Sequence, residues 1–363
     1  MKNTFGNNIS VTLFGESHGN AIGAVLDGLT SGVEINEEHI KNKLNLRRPS
    51  GKISTQRQEQ DEFKILSGVF NGKSTGTPIC IVIENNDTRS KDYDKDIIRP
   101  SHADYAAELK YNGFQDYRGG GHFSGRITAA LVAVGAILQF VLEQKGILIG
   151  THIKECAKIK DANFNNLIED IKLLNSLEFA TLCEKTKTNM INEIEKVASN
   201  GDSVGGVLET AVVGMPGGVG EPWFDSVESM LSHVLFSVPA VKGVEFGAGF
   251  NFAKMLGSEA NDSFIIKDGK IETATNNNGG INGGITNGMP IVFSTVIKPT
   301  PSISVEQNTV NLKELTNVKT NVTGRHDPAI IHRARVVIDS VVAICLADLL
   351  ATKFGTDFLR NDK

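Results

Sequence analysis

Residues 127–142 form the most apolar run in the chain, and as a helix they are apolar nearly all round. Only Thr128, Gly135 and Gln139 interrupt the run. Such a helix must stand at the centre of a core, with other elements on every side. It falls short of the about 20 residues that a bilayer requires, so a core helix is expected and no membrane span. Ser124 is placed to cap a helix reaching Gln144. A second long helix is expected over 329–353, where apolar positions recur at helical spacing. Two central helices need a large body around them, and the composition supplies it: of 363 residues, 40% are hydrophobic and 22% charged, the mixture of an ordinary globular protein. The first ten residues are polar and lack the apolar centre of a signal peptide. Four cysteines (Cys80, Cys156, Cys183, Cys345) lie far apart with no C-x-x-C, which fits a reducing, cytoplasmic setting.

The rest of the pattern reads as strands over 9–14, 21–26, 64–69, 78–84, 205–214, 244–250 and 290–297. Helices are expected over 37–46, 102–111, 164–177, 184–199 and 223–236. Strands and helices are interspersed without regular βα alternation, so the class is α/β or α+β. There is no linker and no repeat at a short fixed period.

Glycine, at 37 residues, exceeds the about 7% of average composition, and it is concentrated. Residues 276–288 hold five Asn and five Gly, and Gly119, Gly120 and Gly121 are consecutive. Residues 276–278 read as a flexible surface loop. Residues 279–284, hemmed in by Ile281 and Ile285, read as an ordered loop presenting N–H groups to an anion or a flat ring. There is no G-x-x-x-x-G-K-[ST], and no G-x-G-x-x-G follows a strand, so neither a P-loop nor a Rossmann cofactor site is supported.

Arginine is scarcer than lysine, 11 against 26, and none lies between Ile127 and Gly324. Arginine grips carboxylate and phosphate bidentately, which lysine cannot imitate. The pattern points to one site for an anionic small molecule, built from loops at both ends of the chain. A net charge of −5, four Tyr and one Trp argue against nucleic acid. Among the eight histidines, His18, His102, His122 and His326 lie in Gly- or Pro-bounded loops, most with Arg or Asp close in sequence, and are the acid–base candidates. Adjacent Ser17 and His18 cannot easily pair as in a hydrolase triad, and no G-x-S-x-G elbow exists. No H-x-x-x-H or H-x-H spacing suggests a metal.

Read together, the motifs F-G-E-S-H-G (14–19), R-R-P (47–49), T-Q-R (55–57), R-P-S-H-A-D-Y (99–105), D-Y-R-G-G-G (116–121), V-K-G-V-E (241–245), G-G-I-N-G-G-I (279–285), K-P-T (298–300) and G-R-H-D-P (324–328) resemble chorismate synthase. They stand in the family's order and span nearly the whole chain. The resemblance implies one α+β domain over 1–363, with antiparallel β-sheets packed around a core of long helices. It implies a carbon–oxygen lyase that eliminates phosphate from 5-enolpyruvylshikimate 3-phosphate (EPSP) to give chorismate, the last step of the shikimate pathway towards aromatic amino acids. Reduced FMN is the implied cofactor, although no net redox change occurs. The length lacks the insertions of members that reduce their own flavin. NADPH is therefore expected only indirectly, through an external flavin reductase. A homotetramer is expected.

Roles carry over by motif position. His18 matches a proton donor towards the leaving phosphate, His102 a histidine that protonates or holds the reduced flavin, and Asp327 an aspartate in the proton relay. Ser17 and Ser124 match serines that tune these groups. Arg47, Arg48, Arg99, Arg126 and Arg325 match binders of phosphate and carboxylate. The flavin positions are His122, Phe123, Ser124, Pro239, Ala240, Gly283, Lys298, Pro299, Thr300, Pro301, Ser302 and Arg325. Arg47 and Lys52 match positions assigned to NADPH. Two departures stand out. His122-Phe123-Ser124-Gly125-Arg126 replaces the commoner R-S-S-A-R, which predicts pH-sensitive FMN affinity, and Pro239 replaces a frequent Asn. The rival reading is an FMN- or anion-binding carrier without lyase activity, which would have no need of His18, His102 and Asp327.

Overall fold

The computed structural model describes residues 2–49, 51, 53–54, 60–86, 93–321 and 327–360. Among these the helices are α1 Glu37–Arg47, α2 Asp104–Tyr111, α3 Thr128–Gln144, α4 Leu167–Ser176, α5 Glu184–Ser199, α6 Val227–Ser237, the single turn α7 Gly257–Ala260, and α8 Ile331–Phe354. α3 and α8 are the two expected central helices, and both are buried on almost every side. The segment Gly125–Gln144 has the length and hydropathy of a membrane span, but 89% of its most apolar stretch is buried inside the protein. Gly135 explains how the two helices meet: a Cβ there would stand 2.4 Å from the Ser340 Cβ and 2.8 Å from its Cα. Even one methyl at this crossing would force the helices apart, at a cost of about 1–3 kcal/mol or more.

Two antiparallel sheets flank this pair. The first runs in the order Thr4–Phe5, Ser10–Gly15, Ala21–Asp27, Ile79–Glu84, Phe63–Ser67. Its central strands alternate with period two, so Ile22, Ala24, Leu26, Ile79, Ile81 and Ile83 all enter the core. The second runs in the order Val241–Phe246, Ile291–Ile297, Gly206–Val213, Leu148–Cys156, Ile159–Lys160. α8 packs on the strands Leu148–Cys156 and Gly206–Val213, α3 on the first sheet, and α1 and α6 close the sides. The class is α+β, as expected. The Asp348 carboxylate on α8 accepts N–H bonds from Asn7, Asn8 and Ile9 at 2.7–3.1 Å, which anchors the start of the chain to its last helix.

Three expectations need correcting. Ser124 does not cap α3 itself. Its Oγ accepts from Arg126 N at 3.3 Å and caps a 3-10 turn, Gly125–Ile127, that leads into α3. The strand expected over 244–250 is Val241–Phe246, because Gly247 and Gly249, at φ +55° and +54°, turn the chain out of the sheet. The asparagines at 276–278 are ordered. Asp262 accepts from Thr275 Oγ1 at 2.7 Å, Asn277 N at 2.7 Å and Asn278 N at 2.9 Å, and Asn276 Oδ1 accepts from Gly280 N at 2.8 Å.

The strand Leu148–Cys156 was not anticipated, because it carries His152 and Lys154. The His152 ring is fully buried, with Nδ1 3.1 Å from Asp161 Oδ2 and Nε2 3.1 Å from Glu209 Oε2. Both nitrogens face carboxylates, so both must donate and the ring is an imidazolium. Burial opposes that charge, but the two carboxylates outweigh it and raise the pKa.

Candidate active site

The turn at 16–19 leaves the first sheet through Gly15, whose φ is +98°. Asn85 Nδ2 donates to Glu16 O at 3.0 Å and to Gly19 O at 2.9 Å, and Ser17 N donates to Gly121 O at 3.1 Å. These bonds fix His18 on the wall of a large cavity. Ser17 is buried behind it, and its Oγ has no partner among the described residues.

Residues 119–121 have φ values of +60°, +84° and +53°, a conformation that requires glycine. A Cβ on Gly119 would lie 2.5 Å from the His18 ring, and one on Gly120 would lie 3.1 Å from His102 Cε1. The missing side chains let two histidines close on one loop, His18 at Gly119 and His102 at Gly120.

His102 is held through one ring nitrogen. Its Nδ1 lies 2.7 Å from Asp104 Oδ1 and 3.1 Å from Arg99 Nη2. Arg99 clamps the same carboxylate through Nε at 2.8 Å and Nη2 at 2.7 Å. Burial works against the Asp104 charge. The bonds from His102 and Arg99 outweigh it and hold the carboxyl well below the usual range. Tyr93, which the sequence did not single out, stands edge-on to His18 with centroids 5.3 Å apart, and Arg99 lies 5.5 Å over its ring.

Arginines form another part of the lining. Arg47 and Arg126 both reach the cavity, and both bond one buried carboxylate, Asp61. Arg126 also donates through Nε to Asn85 Oδ1 at 3.0 Å and through Nη2 to Glu84 O at 3.2 Å. Burial would raise the Asp61 pKa, but the two guanidiniums prevail and lower it. Asp327 lines the cavity beside Arg333, with which it is ion-paired. Arg333 is pushed down to about 9, first by burial and then by the nearby Arg47. Asp61 and Arg333 were missed by sequence reasoning, since a lone Asp and an Arg inside a helix carry no local signal.

A third wall comes from the second sheet. Pro239, Ala240, Lys298, Thr300, Pro301 and Ser302 line it, and His122, Phe123 and Ser124 face the same cavity. Lys298 N donates to Ala240 O at 2.9 Å, and Lys298 Nζ donates to Ser101 O at 2.6 Å, next to His102. His122 Nδ1 donates to Gly15 O at 2.7 Å, which fixes the ring at the cavity wall. The buried Thr300 Oγ1 has no partner among the described residues.

Some expected residues are not gathered here. Arg48 and Pro299 do not line the cavity. Gly283 lies at the exposed tip of the hairpin Ile281–Asn282 and Ile285–Thr286, away from it. Gly279 N and Gly280 N are spent on Asn276, so this part of the glycine-rich loop offers no N–H groups to an anion. Lys52, Arg325 and His326 lie outside the described residues. The cavity holds about 1200 Å³, above the about 300–1,000 Å³ of a pocket for one small ligand.

Known proteins resemble this chain over nearly its whole length. The family model described as chorismate synthase matches residues 9–351. Chorismate synthases from Methanococcus vannielii (47% identity over 365 residues, 96% of each chain), Pyrococcus abyssi (45% over 344 residues) and Thermococcus kodakarensis (43% over 344 residues) are similar, the last two covering 94% of this chain and 96% of the relative. A crystal structure of chorismate synthase superposes with a TM-score of 0.77 at 30% identity, covering 97% of this chain and 94% of that one.

Proposed function

The chain belongs to the chorismate synthase family, and from that premise we propose how its cavity performs the reaction. It is an enzyme, a carbon–oxygen lyase that converts EPSP to chorismate and phosphate. The observation that carries the site assignment is one cavity lined by two histidines that pack on a glycine loop and by an arginine cluster.

The arginine wall takes the anionic substrate. Arg47, Arg126 and Arg333 direct positive charge at its phosphate and carboxylates. His18, held by Tyr93 and Gly119, donates a proton towards the departing phosphate. His102, fixed at Nδ1 between Asp104 and Arg99, is the residue placed to hold the flavin. Asp327, steadied by Arg333, passes a proton onward. Ser17 and Ser124 tune the groups beside them. Arg99 is committed to Asp104, so its part is to fix His102.

The residues present fit a flavin. The cavity has room for it beside the substrate, and the segments 239–240 and 298–302 form a wall with an unpartnered Thr300 hydroxyl and the Lys298 cation. What reduced FMN supplies when bound is transient electron density towards the leaving phosphate. Burial lowers the Lys298 pKa first, and Lys242 lowers it further, so an anion bound there would be welcome. Arg47 already serves Asp61, which favours a substrate role over an NADPH role. NADPH therefore acts indirectly, through an external flavin reductase.

The single domain 1–363 assembles as a homotetramer. Support comes from large apolar side chains bare in one chain: Phe264, Ile266 and Ile271 on the hairpin Phe264–Lys267 and Lys270–Thr273, and Trp223 with Phe224. Four unpaired cysteines support the cytoplasm. The test is anaerobic: EPSP with dithionite-reduced FMN, following chorismate and phosphate together, then oxidised FMN with NADPH. Equimolar products with reduced FMN alone are expected. FMN binding without product would favour the carrier.

A further inference from the structure

We infer that Asp61 is a positioning residue, which holds Arg47 and Arg126 together as a preformed cradle for the substrate anion and ties that cradle to the His18 turn. This rests on the reading that the cavity binds EPSP. The Asp61 side chain is fully buried, and its two oxygens serve different arginines, Oδ2 taking Arg47 Nη2 at 2.7 Å and Oδ1 taking Arg126 Nη1. These arginines come from distant places, one from the last turn of α1 and the other from the turn before α3. Two guanidiniums repel, and both stay at one wall because a carboxylate lies between them. Asp61 itself sits at φ +52°, in the left-handed region that a non-glycine residue rarely adopts.

The cluster is built for more than its own stability. Arg47, Arg126 and Arg333 all line the cavity, whereas Asp61, which joins two of them, lies behind it. Buried Nε groups of Arg47 and Arg333 have no partner among the described residues. Guanidiniums gathered at a cavity wall suit an incoming anion. The second link is direct: Arg126 Nε bonds Asn85 Oδ1, and Asn85 Nδ2 bonds both carbonyls that frame the His18 turn. Where the anion binds and where the proton is delivered are therefore set by one chain of bonds.

The test uses the full chain and Asp61→Asn, which keeps shape but turns an acceptor towards a guanidinium into a donor. EPSP binding is measured by calorimetry with oxidised FMN, where no turnover occurs, and kcat and KM with reduced FMN. The expected result is a rise of at least tenfold in both Kd and KM with less than a fivefold fall in kcat. In an Arg47→Ala background the same change should raise KM by less than threefold, because the residue acts through that arginine. Asp61→Asn with Kd and KM within twofold of wild type, or full additivity with Arg47→Ala, overturns the proposal. Should Asp61→Asn not fold, Asp61→Glu, which keeps the charge but displaces it, is read by the same criteria. Failure of both to fold assigns Asp61 to the fold and overturns the proposal as well. Wild-type protein that does not bind EPSP refutes the underlying functional reading instead.

Discussion

Two of the ionic clusters in this molecule, one in the second sheet and one at the cavity, are arranged differently. In the second sheet, His152 and Lys154 face Asp161 and Glu209, so charges balance. Lys154 Nζ donates to Glu209 Oε1 at 2.7 Å and to Ser294 Oγ at 3.1 Å, and Asp161 accepts Leu182 N at 2.6 Å and Cys183 N at 3.1 Å. At the cavity, Arg47 and Arg126 share Asp61, Arg333 pairs with Asp327, and the Nε groups of Arg47 and Arg333 are unpartnered among the described residues. Burying charge is tolerable in the first case because the partners are inside the protein. The second opens onto the cavity, where under the proposed reading a bound anion would be a further partner.

That contrast can be broken most sharply by exchanging one histidine from each region. His18→Ala should reduce kcat by about 10²–10⁴-fold, the usual worth of a positioned acid–base group, with little change in melting temperature. Steady-state kinetics beside a thermal melt would show it, and wild-type turnover would remove His18 from the mechanism. His152→Leu should do the reverse. Leaving the carboxylates short of a cation should cost about 3–5 kcal/mol of stability, read by denaturant unfolding, while kcat of the folded enzyme stays within twofold.

A smaller effect tests the helix between the regions. His332 on α8 is buried, 2.8 Å from Ser54 Oγ, and burial pushes its pKa down to about 4. An unfolded histidine titrates near 6.5. Between these values the unfolded chain binds a proton that the folded chain refuses. The contribution is therefore fully present above pH 6.5 and is lost as pH falls towards 4. From pH 7 to pH 5 it should remove about 2 kcal/mol, and His332→Gln should flatten that part of the slope. His152, with its raised pKa, contributes in the other sense, strongest below pH 6.5 and lost as pH rises through its folded value. The smallest effect concerns His122. His122→Ala should weaken FMN binding by a few-fold, because the ring lines the cavity beside the flavin wall. Equal affinities in fluorescence titrations would exclude that role.

How much of this was legible depended on how local the signal was. α3 and α8 were plain because an all-round apolar helix has one place to go, and α5 was found end to end from its own periodicity. The strand Leu148–Cys156 was not, since its buried His152 and Lys154 look like surface residues until Asp161 and Glu209 come to meet them. Among the site residues, His18, His102, Arg47, Arg126 and Asp327 were marked by motifs, and all five reach the cavity. Gly283 shared a motif with them but not a location. Asp61, Tyr93, Asn85 and Arg333 had no motif reading, and their importance lies wholly in what they touch.

By itself, then, the sequence determined a core of two long helices, an α+β class and a family with its chemistry, because hydrophobic period and collinear motifs are properties of the chain read in order. Tertiary structure alone decided that three glycines serve to bring two histidines together. It also decided that Asn85 joins the His18 turn to Arg126 and that Asp61 is shared by Arg47 and Arg126. The physical reason is the same in each case. Charge balance and hydrogen-bond saturation are sums over neighbours in space, and α1, the first sheet and the turn before α3 become neighbours only when the core closes.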